Sequence, residues 1–319
     1  MTATALSIAV VVPAHNTIDL TLRCVAAVLS DDRELEIIVV DDGGSDQLAA
    51  RLAPAFPSVR VLRNEEARGF TVAANLGLGA TEADILFLLN SDTEVRPGAF
   101  KALRQAFAAD SRLGIAGAQL LYPDGRAQWS AGSSPGGLWL FSVASGLGAG
   151  LHSVPGLGAL RRAKPPASAI TWVSGAAMAI RRSAWRAAGP FDENFRFYAQ
   201  DLDLCERAGS LGWGVRLLPG LEVLHHHGAT IGRAAGAVER QQPGLLWTDL
   251  LGWAIKTRSP VEARSAARAL KIGARCRLAW RSIRGMFLHG ERGVQWRAET
   301  AAYHQALDSL NTMSADSAK

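Results

Sequence analysis

Cysteine is scarce in this chain of 319 residues. Its three cysteines, Cys24, Cys205 and Cys276, are odd in number, far apart and without a CxxC pair. This pattern argues against a disulfide framework and a cysteine zinc site, and it predicts a reducing compartment. The first residues have no basic segment and no cleavage site before an apolar run begins, so no secretion signal is predicted and the expected location is the cytoplasm.

Two further features are missing, a glycine-rich phosphate loop and a long apolar run. PAHN follows the first apolar run, where a dinucleotide-binding protein has GxGxxG, and GxxxxGK[ST] occurs nowhere. Neither a nicotinamide dehydrogenase nor a P-loop enzyme is therefore supported. The longest uncharged stretch, residues 127–160, is broken by glycine and proline. We predict a mobile loop over about residues 133–166 rather than a membrane span.

Short apolar runs alternate with helical patterns over the first 120 residues. Hydrophobic residues make up 48% of the chain and charged residues 20%, which is enough to form a sizeable core. The predicted strands are residues 8–12, 36–40, 59–62, 85–89 and 114–120. This alternation predicts a doubly wound α/β sheet with parallel strands.

Polar residues follow two of these predicted strands. Asn90, Ser91 and Asp92 follow the fourth, and VVDDGGSD, residues 39–46, ends the second. Ligands of open parallel sheets bind beyond the carboxyl ends of the strands, so both groups are candidate site residues. Two structural explanations stay open here. Residues 91–94 can cap and charge a helix that starts near Pro97, and the second group can be an ordinary Asp-Gly turn.

Six motifs, in this order, make the chain resemble the family 2 glycosyltransferases, particularly bacterial rhamnosyltransferase-like members. The motifs are VVPAHN, VVDDGGSD, GFTVAANLGL, LLNSDTEV, VSGAAMAIRRSAW and the long segment FRFYAQDLDLCERAGSLGWGVRLLPGLEVLHHHGAT. The resemblance covers about residues 8–230. It implies a GT-A fold, which is a Rossmann-like doubly wound mixed sheet, followed here by a C-terminal helical extension.

The resemblance also implies an inverting, metal-dependent hexosyltransferase. The expected donor is a nucleotide sugar, with dTDP-rhamnose as the leading candidate, and Mg²⁺ or Mn²⁺ is the expected metal. The expected acceptor is a glycan or lipid-linked glycan in the synthesis of cell-surface polysaccharide. Residues 1–232 would be the catalytic domain, with a donor-binding half to residue 120 and an acceptor-binding half after it.

The resemblance assigns candidate residues to the donor and the metal. Asp92 matches the metal-binding acid of the family's D-x-D element, which reads Asn-Ser-Asp here, and His225 matches a histidine near the metal or diphosphate. The expected donor-binding residues are Pro13, Asn16, Asp41, Asp42, Asn75, Asn90 and Ser91. In the run of three histidines, alternate side chains of an extended chain point to opposite sides. His227 could therefore point the same way as His225, while His226 is expected to be structural or exposed.

The resemblance assigns a second set of residues to the acceptor. Asp201 matches the general base, although Gln200 stands where the family usually has glutamate. Asp201 could equally cap a helix in which Asp203 pairs with Arg207. Gly175 matches a small residue that lets the acceptor sugar approach, with Trp172 as a stacking wall. For the tryptophans Trp129, Trp139 and Trp213 we expect plain packing.

The tail, residues 233–319, is predicted to be a basic amphipathic helical region. Residues 256–299 contain eleven Lys and Arg against three Glu. The residues Ile272, Cys276, Trp280, Ile283 and Phe287 share one helical face. Arg264, Arg268, Lys271 and Arg275 flank one side of this stripe, and Arg277, Arg281 and Arg284 flank the other. This pattern is typical of a helix on an anionic membrane, and it equally fits packing on the catalytic domain or on another subunit of a homo-oligomer.

Two other functions stay open, and nucleic acid is not an expected partner because no binding motif accompanies the basic segment. A non-catalytic protein that binds nucleotide sugars, or a scaffold, would be consistent with Asn90 and Gln200. A sugar nucleotidyltransferase would share the sheet and the metal. It would also need a phosphate loop after the first strand, and the sequence does not have one.

Overall fold

The computed structural model describes residues 6–147, 170–195, 198–226 and 243–316, and side chains only up to residue 313. Its strands are β1 (Ile8–Ala14), β2 (Glu36–Asp42), β3 (Arg60–Asn64), β4 (Ile85–Leu89), β5 (Thr93–Val95), β6 (Leu113–Leu121), β7 (Ala131–Gly132), β8 (Trp172–Val173), β9 (Ala177–Arg181) and β10 (Gly214–His225). All five strands predicted from the sequence are present. His227 lies outside the described residues.

The main sheet has the order β3-β2-β1-β4-β9-β6-β10-β5. β3, β2, β1 and β4 run parallel, with Val11 beside Leu88 in neighbouring strands. β9 lies antiparallel between β4 and β6, and β5 lies antiparallel to β10 at the edge. The sheet is therefore mixed, and the carboxyl ends of β1, β2 and β4 meet at one edge. β7 and β8 form a separate antiparallel pair.

The helices alternate with the strands in the first part of the chain and dominate its last part. They are α1 (Ile18–Asp31), α2 (Leu48–Ala55), α3 (Phe70–Gly79), α4 (Ala99–Ala109), α5 (Gly137–Ser145), α6 (Arg182–Ala188), α7 (Gln200–Ser210), α8 (Pro243–Thr257), α9 (Pro260–Gly285) and α10 (Gly290–Asp316).

The sheet is buried because its central strands are apolar along their whole length. Every residue of β1 and β4 is buried, as expected for strands covered by helices on both faces. On α3, Gly77 permits a close approach to β1, since a Cβ there would come within 2.3 Å of the Val11 Cγ1 atom. Burial also raises the pKa of the Cys24 thiol to about 12, so this thiol is neutral and behaves as part of the core.

The chain divides into two compact units. The first contains residues 1–133, 165–196 and 200–235, and therefore the whole main sheet. The second contains residues 134–164, 197–199 and 236–319, and its described part is helical: α5, α8, α9 and α10. The prediction of a loop over residues 133–166 is wrong for residues 137–145, which form α5. In α5 an apolar face buries Leu140 and Ala144, which the glycines around it obscure in the sequence. Residues 148–166 of the predicted loop lie outside the described residues.

The inner face of α9 packs on α5, α8 and α10. Gly273 lets α9 approach α5 closely, because a Cβ there would come within 2.6 Å of the Phe141 carbonyl oxygen. Arg277 donates to the Tyr303 hydroxyl at 2.9 Å, and the buried Arg281 pairs with Glu299 at 3.0 Å. These two arginines were predicted to flank an exposed stripe, and that prediction is wrong because both face α10. Among the described helices, none has the length and apolar character needed to cross a bilayer.

Candidate functional site

The candidate site lies at the edge where β1, β2 and β4 end. Pro13 is in register with Val40, and Ala14 with Asp41, so the ends of β1 and β2 are neighbours. The loop after β1 is linked to the end of β4 by the hydroxyl oxygens of Thr17 and Ser91, which lie 3.0 Å apart. The three predicted donor-binding segments, after β1, β2 and β4, are therefore brought together.

Asn16 locks the loop after β1 to the loop after β2. Its backbone is left-handed, with φ of 54°, a conformation that asparagine tolerates better than most residues. Its Oδ1 atom accepts from the Ser45 backbone N–H at 2.7 Å and from the Ser45 hydroxyl at 3.1 Å. His15, the residue before it, bonds through Nδ1 to the Asp42 carbonyl oxygen at 2.7 Å. The sequence PAHN thus takes the place of a glycine-rich turn.

Asp41 and Asp42 are both buried at the end of β2, and each shapes a loop. Asp41 accepts from the Gly44 N–H at 2.8 Å, as in an Asp-Gly turn, and pairs with Arg63. Asp42 accepts from the Asn64 amide and from the backbone N–H groups of Arg68 and Gly69, at 2.7–3.0 Å. A carboxylate has about four acceptor positions, so Asp41 keeps more capacity for a ligand than Asp42.

Asn90, Ser91 and Asp92 form the turn between β4 and β5, and they do not cap α4. The caps of that helix come from Asp31, whose carboxylate accepts from the N–H groups of Gly98 and Phe100. The capping explanation for residues 91–94 is therefore wrong. Instead the turn passes directly into β5, which places Asp92 one residue before a strand paired with β10.

His225 reaches Asp92 because β10 lies beside β5. His225 is in register with Thr93, and its Nε2 atom lies 3.4 Å from Oδ1 of Asp92. The Nδ1 atom lies 2.9 Å from Oε1 of Gln128. The amide nitrogen of Gln128 donates to the His225 and Leu121 carbonyls, so its oxygen is the atom that accepts from the ring. In neutral His225 the Nε2 lone pair then faces Asp92, as in metal-binding histidines whose other nitrogen donates to an oxygen.

This arrangement fits a divalent cation that shares its coordination with a ligand. Two donor atoms 3.4 Å apart can bind one ion, since neighbouring ligands at about 2.1 Å from Mg²⁺ are about 3 Å apart. Oδ1 of Asn90 is a buried oxygen without a hydrogen-bond partner among the described residues. No group of three or more His, Cys, Asp or Glu in the described ranges could hold a metal. A metal here would therefore need oxygen atoms from a bound phosphate or from water.

The second histidine of the run, His226, is turned away from this pair. Its Nε2 atom lies 2.8 Å from Oε1 of Glu94, and its backbone N–H donates to the Asp92 carbonyl at 2.9 Å. This agrees with the structural role expected for His226, since its bonds hold β10 against the turn that carries Asp92.

Asp201 lies in the first turn of α7, next to the start of β9. Its Oδ2 atom accepts from the Gly175 N–H at 3.1 Å, and its Oδ1 atom accepts from the Leu202 N–H at 2.8 Å. Burial raises the pKa of Asp201, and these two hydrogen bonds oppose the shift. Neighbouring Ala176 accepts from the Asn90 N–H at 2.9 Å, so one short segment joins Asp201 to the end of β4.

Asp203 has the structural role considered for it. It is fully buried, and its Oδ2 atom pairs with Nε of Arg207 one helical turn later, at 2.8 Å. Arg207 also donates to the carbonyls of Ala188 and Pro190. The pair therefore fixes α7, and with it Asp201, against the segment that follows α6.

The structure corrects two expectations about tryptophans. Trp172 was expected to be a stacking wall, but only 7% of its surface is exposed, because its ring packs against Gly132 and donates to the Ser133 carbonyl. Trp129 was expected to be packed, but 58% of its surface is exposed. The two rings meet edge to face at 4.9 Å. The buried ring thus supports an exposed one.

The structure also changes the role expected for Asn75. It was expected to contact the donor, but its amide is used within the protein. It donates to the Phe191 carbonyl at 2.9 Å and to Glu193 at 3.1 Å, and it accepts from the Phe191 N–H at 2.9 Å. Asn75 therefore holds the segment after α6 against α3.

Sequence reasoning missed Gln128, Arg63 and the exposure of Trp129. Gln128 is 97 residues from its partner His225, and its segment, RAQWSAG, carries no motif. Arg63 offered a weak signal, since a basic residue in β3 next to an acidic strand end is a natural partner for Asp41. The exposure of Trp129 had no signal in the sequence.

Solved structures with a similar fold include a mannosyltransferase. The mannosyltransferase PcManGT from Pyrobaculum calidifontis, solved in complex with GDP-Man and Mn²⁺, aligns with a TM-score of 0.58 and 15% identity over 97% of this chain and 87% of that one. Residues 1–349 of TarS from S. aureus align with a TM-score of 0.51 and 16% identity over 96% and 83%. These similarities show the GT-A fold that the sequence predicted.

Sequence relatives agree with this fold. An N-acetylglucosaminyl-diphospho-decaprenol L-rhamnosyltransferase from Mycobacterium tuberculosis is 31% identical over 226 residues, covering 64% of this chain and 71% of that protein. A pre-mycofactocin glycosyltransferase from the same organism is 28% identical over 69% of this chain and 43% of that protein. Residues 9–185, more than half of the chain, match the family described as glycosyl transferase family 2. The chain belongs to glycosyl transferase family 2.

Proposed function

We propose that this protein is an inverting, metal-dependent glycosyltransferase that uses a nucleotide-sugar donor. The main support for the proposal is that a short segment connects the turn that carries Asp92 to the carboxylate of Asp201. Asn90, at the turn that carries Asp92, bonds to Ala176, and its neighbour Gly175 bonds to Asp201. The turn with Asp92 suits a diphosphate and its cation, and Asp201 suits a hydroxyl group that must lose a proton.

The donor nucleotide is proposed to bind where β1 and β2 end. The loops held by Asn16 and Asp42 would form the walls of this site, and Asp41 has acceptor capacity for a base N–H or a ribose hydroxyl. Pro13 and Ser91 would complete it by position, at the ends of neighbouring strands. Asn75 is not part of this proposal.

Asp92 and His225 are proposed to hold Mg²⁺ or Mn²⁺ together with diphosphate oxygens, with Asn90 within the same turn. When bound, the cation would neutralise the charge that develops on the nucleoside diphosphate as it leaves. Gln128 keeps the Nδ1 proton of His225 on the side away from Asp92. Mn²⁺ in the similar mannosyltransferase structure supports this choice of ion.

Asp201 is proposed to be the general base. The proton of the acceptor hydroxyl passes to the Asp201 carboxylate while the acceptor oxygen bonds to the anomeric carbon and the bond to the diphosphate breaks. Its raised pKa makes it a stronger base than an ordinary aspartate. Gly175 leaves space beside the carboxylate, and exposed Trp129 offers a flat apolar surface for a sugar ring.

Rhamnose from dTDP-rhamnose is the proposed donor sugar, and a glycan or lipid-linked glycan of the cell envelope is the proposed acceptor. Similarity to the mycobacterial rhamnosyltransferase supports both choices. A lipid-linked acceptor would place the enzyme on the inner face of the cytoplasmic membrane. We propose residues 1–232 as the catalytic domain and residues 233–319 as the region that contacts other molecules.

Asp201→Asn tests the proposal. Asparagine keeps the size and accepts hydrogen bonds, but it cannot take a proton, so turnover should fall by on the order of 10² or more with unchanged donor affinity. The assay measures sugar transfer from labelled dTDP-rhamnose to a synthetic lipid-linked acceptor, with donor affinity from calorimetry. Near-normal turnover in the variant would exclude Asp201 as the base.

The pH profile of the wild type gives an independent test of the same residue. Only ionised Asp201 can accept a proton, so kcat/KM should fall as pH decreases through the pKa of Asp201. Because that pKa is raised in the folded protein, the fall should occur at higher pH than for an ordinary aspartate. A profile without an acid limb would contradict the assignment.

A further inference from the structure

The outer face of α9 and the residues that follow it carry large apolar side chains in solvent. Their exposed fractions are 52% for Ile272, 57% for Trp280, 53% for Ile283, 67% for Met286 and 75% for Phe287. At 3.6 residues per turn they fall on one side of the helix axis, together with the exposed Cys276. We call these six residues the apolar stripe. Single exposed apolar residues are normal in proteins, but a continuous stripe of this size indicates an interaction surface.

The apolar stripe is not the side of α9 that packs within the second unit. The side of α9 that packs on α5, α8 and α10 is a different one, which buries Ala266, Leu270, Ala274 and Leu278. Both faces are thus apolar, but the inner face includes small residues, Gly273 among them, that allow close helix packing. The outer face is built from large side chains that reach away from the helix.

Exposed arginines border the stripe. Arg264, Arg268 and Arg275 lie along one side of it, and Arg284 lies on the other. The remaining arginines of α9, Arg277 and Arg281, bond to α10 and are not available. Glu262 is the one acidic residue of this helix, and its carboxylate is engaged in the capping box with Ser259. The outer face therefore combines apolar bulk with four arginines against a single carboxylate in the first turn of the helix.

We infer that the outer face of α9 binds an anionic phospholipid surface, with the helix axis parallel to the membrane plane. The apolar stripe would enter the boundary between headgroups and acyl chains, with Trp280 at the depth that tryptophan favours. The four arginines would meet lipid phosphates on either side of it. This inference does not depend on the catalytic assignment, because it rests on residues of the helical unit alone.

A second copy of the chain fits this surface less well. In an antiparallel pair, the side with Arg264, Arg268 and Arg275 would face the same side of the partner helix, and like charges would be brought together. Glu262, the one carboxylate of α9, lies in the first turn on the other side of the stripe, so it does not relieve that repulsion. Charge complementarity therefore favours an anionic partner.

Vesicle flotation of the full chain tests the inference. Wild-type protein is mixed with vesicles of phosphatidylglycerol and phosphatidylcholine, or of phosphatidylcholine alone, at low and high salt. We expect flotation with the anionic vesicles at low salt and release at high salt, because salt screens exposed charges. In the variant R268Q/R275Q the partition coefficient should fall about 25-fold, at about fivefold per arginine.

Two further variants separate the contributions. R33Q/K101Q removes the same charge from exposed positions of the first unit, and it should bind vesicles nearly as well as the wild type. W280S/F287S removes apolar bulk from the stripe. It should bind more weakly at an unchanged melting temperature, because both side chains are exposed in the folded protein.

Three results would overturn the inference. The first is no flotation of the wild type with anionic vesicles at low salt. The second is an equal loss of binding in R33Q/K101Q and R268Q/R275Q, which would mean that net charge alone attracts the protein. The third is a wild-type dimer, detected by analytical ultracentrifugation, that W280S/F287S converts to a monomer, which would assign the stripe to a second copy of the chain.

Discussion

Replacing Gly175 by alanine would test whether the acceptor hydroxyl approaches Asp201. A Cβ at this position would lie 3.6 Å from Cβ of Asp201 and 3.9 Å from its Oδ2 atom, with no other atom among its nearest contacts. These are ordinary van der Waals distances, and Gly175 does not have a left-handed backbone. The methyl group therefore fits the protein itself, but it occupies space beside the carboxylate that an attacking hydroxyl needs.

The expected effects on stability and activity have opposite signs. Gly-to-Ala replacement at a permissive backbone position stabilises proteins by about 0.4–1 kcal/mol, because the unfolded chain loses freedom. A displacement of the reacting hydroxyl by about 1 Å costs on the order of 10²-fold in rate. Gly175→Ala should thus melt at the same temperature or higher, bind donor normally and lose about 10²-fold in kcat/KM for the acceptor.

The assay combines thermal melting, donor calorimetry and initial rates of sugar transfer over a range of acceptor concentrations. Gly209→Ala, in α7 and with open space around its Cβ, is the matched control and should keep full activity. Full activity of Gly175→Ala would show that the acceptor does not pass this point. A lower melting temperature would show that the methyl group is not accommodated, and the reasoning from these distances would be refuted.

Three more variants address the metal. Asp92→Ala should abolish metal-dependent donor binding while Ser91→Ala should weaken it only slightly, and calorimetry with Mn²⁺ would contradict the assignment if Asp92→Ala bound donor as the wild type does. Gln128→Leu removes the acceptor for the His225 ring and the bonds to two buried carbonyls, so we expect 10–100-fold weaker Mn²⁺ binding in the presence of nucleoside diphosphate and about 1–3 kcal/mol lower stability. Unchanged Mn²⁺ affinity, measured by paramagnetic resonance, would exclude His225 as a ligand even if stability falls.

The central strands were predictable because they are buried on both sides. All five predicted strands are present with errors of at most two residues at their ends, although β3 is only partly buried and its predicted run includes Arg60. The short strands were not predictable in the same way. β5 has only three residues and includes Glu94. β9 lies antiparallel between β4 and β6, and local sequence does not indicate which strands it will pair with. Yet these two strands bring His225 to Asp92 and Gly175 to Asp201.

Contacts between distant residues limit what a motif can say about a site. Asn75 belongs to a motif of the family, and its amide is nonetheless used up by Phe191 and Glu193. Gln128 belongs to none, and it sets which nitrogen of His225 faces Asp92. In both cases the role depends on hydrogen-bond partners about 100 residues away, and side-chain identity alone does not select them.

The C-terminal helices show a different limit, which comes from periodicity itself. A stripe of apolar residues at helical spacing marks a face that avoids water, and the large side chains of α9 suggested that this face would be the packed one if the helix packed at all. The alanines and glycine opposite carry a weaker hydrophobic signal, but they permit the closer approach between helices, as Gly273 does against α5. On α9, Gly273 and the alanines, together with Leu270 and Leu278, bury one face, and the large side chains of the opposite face stay exposed. For α9, an anionic phospholipid surface can both cover the apolar stripe and bind the exposed arginines beside it.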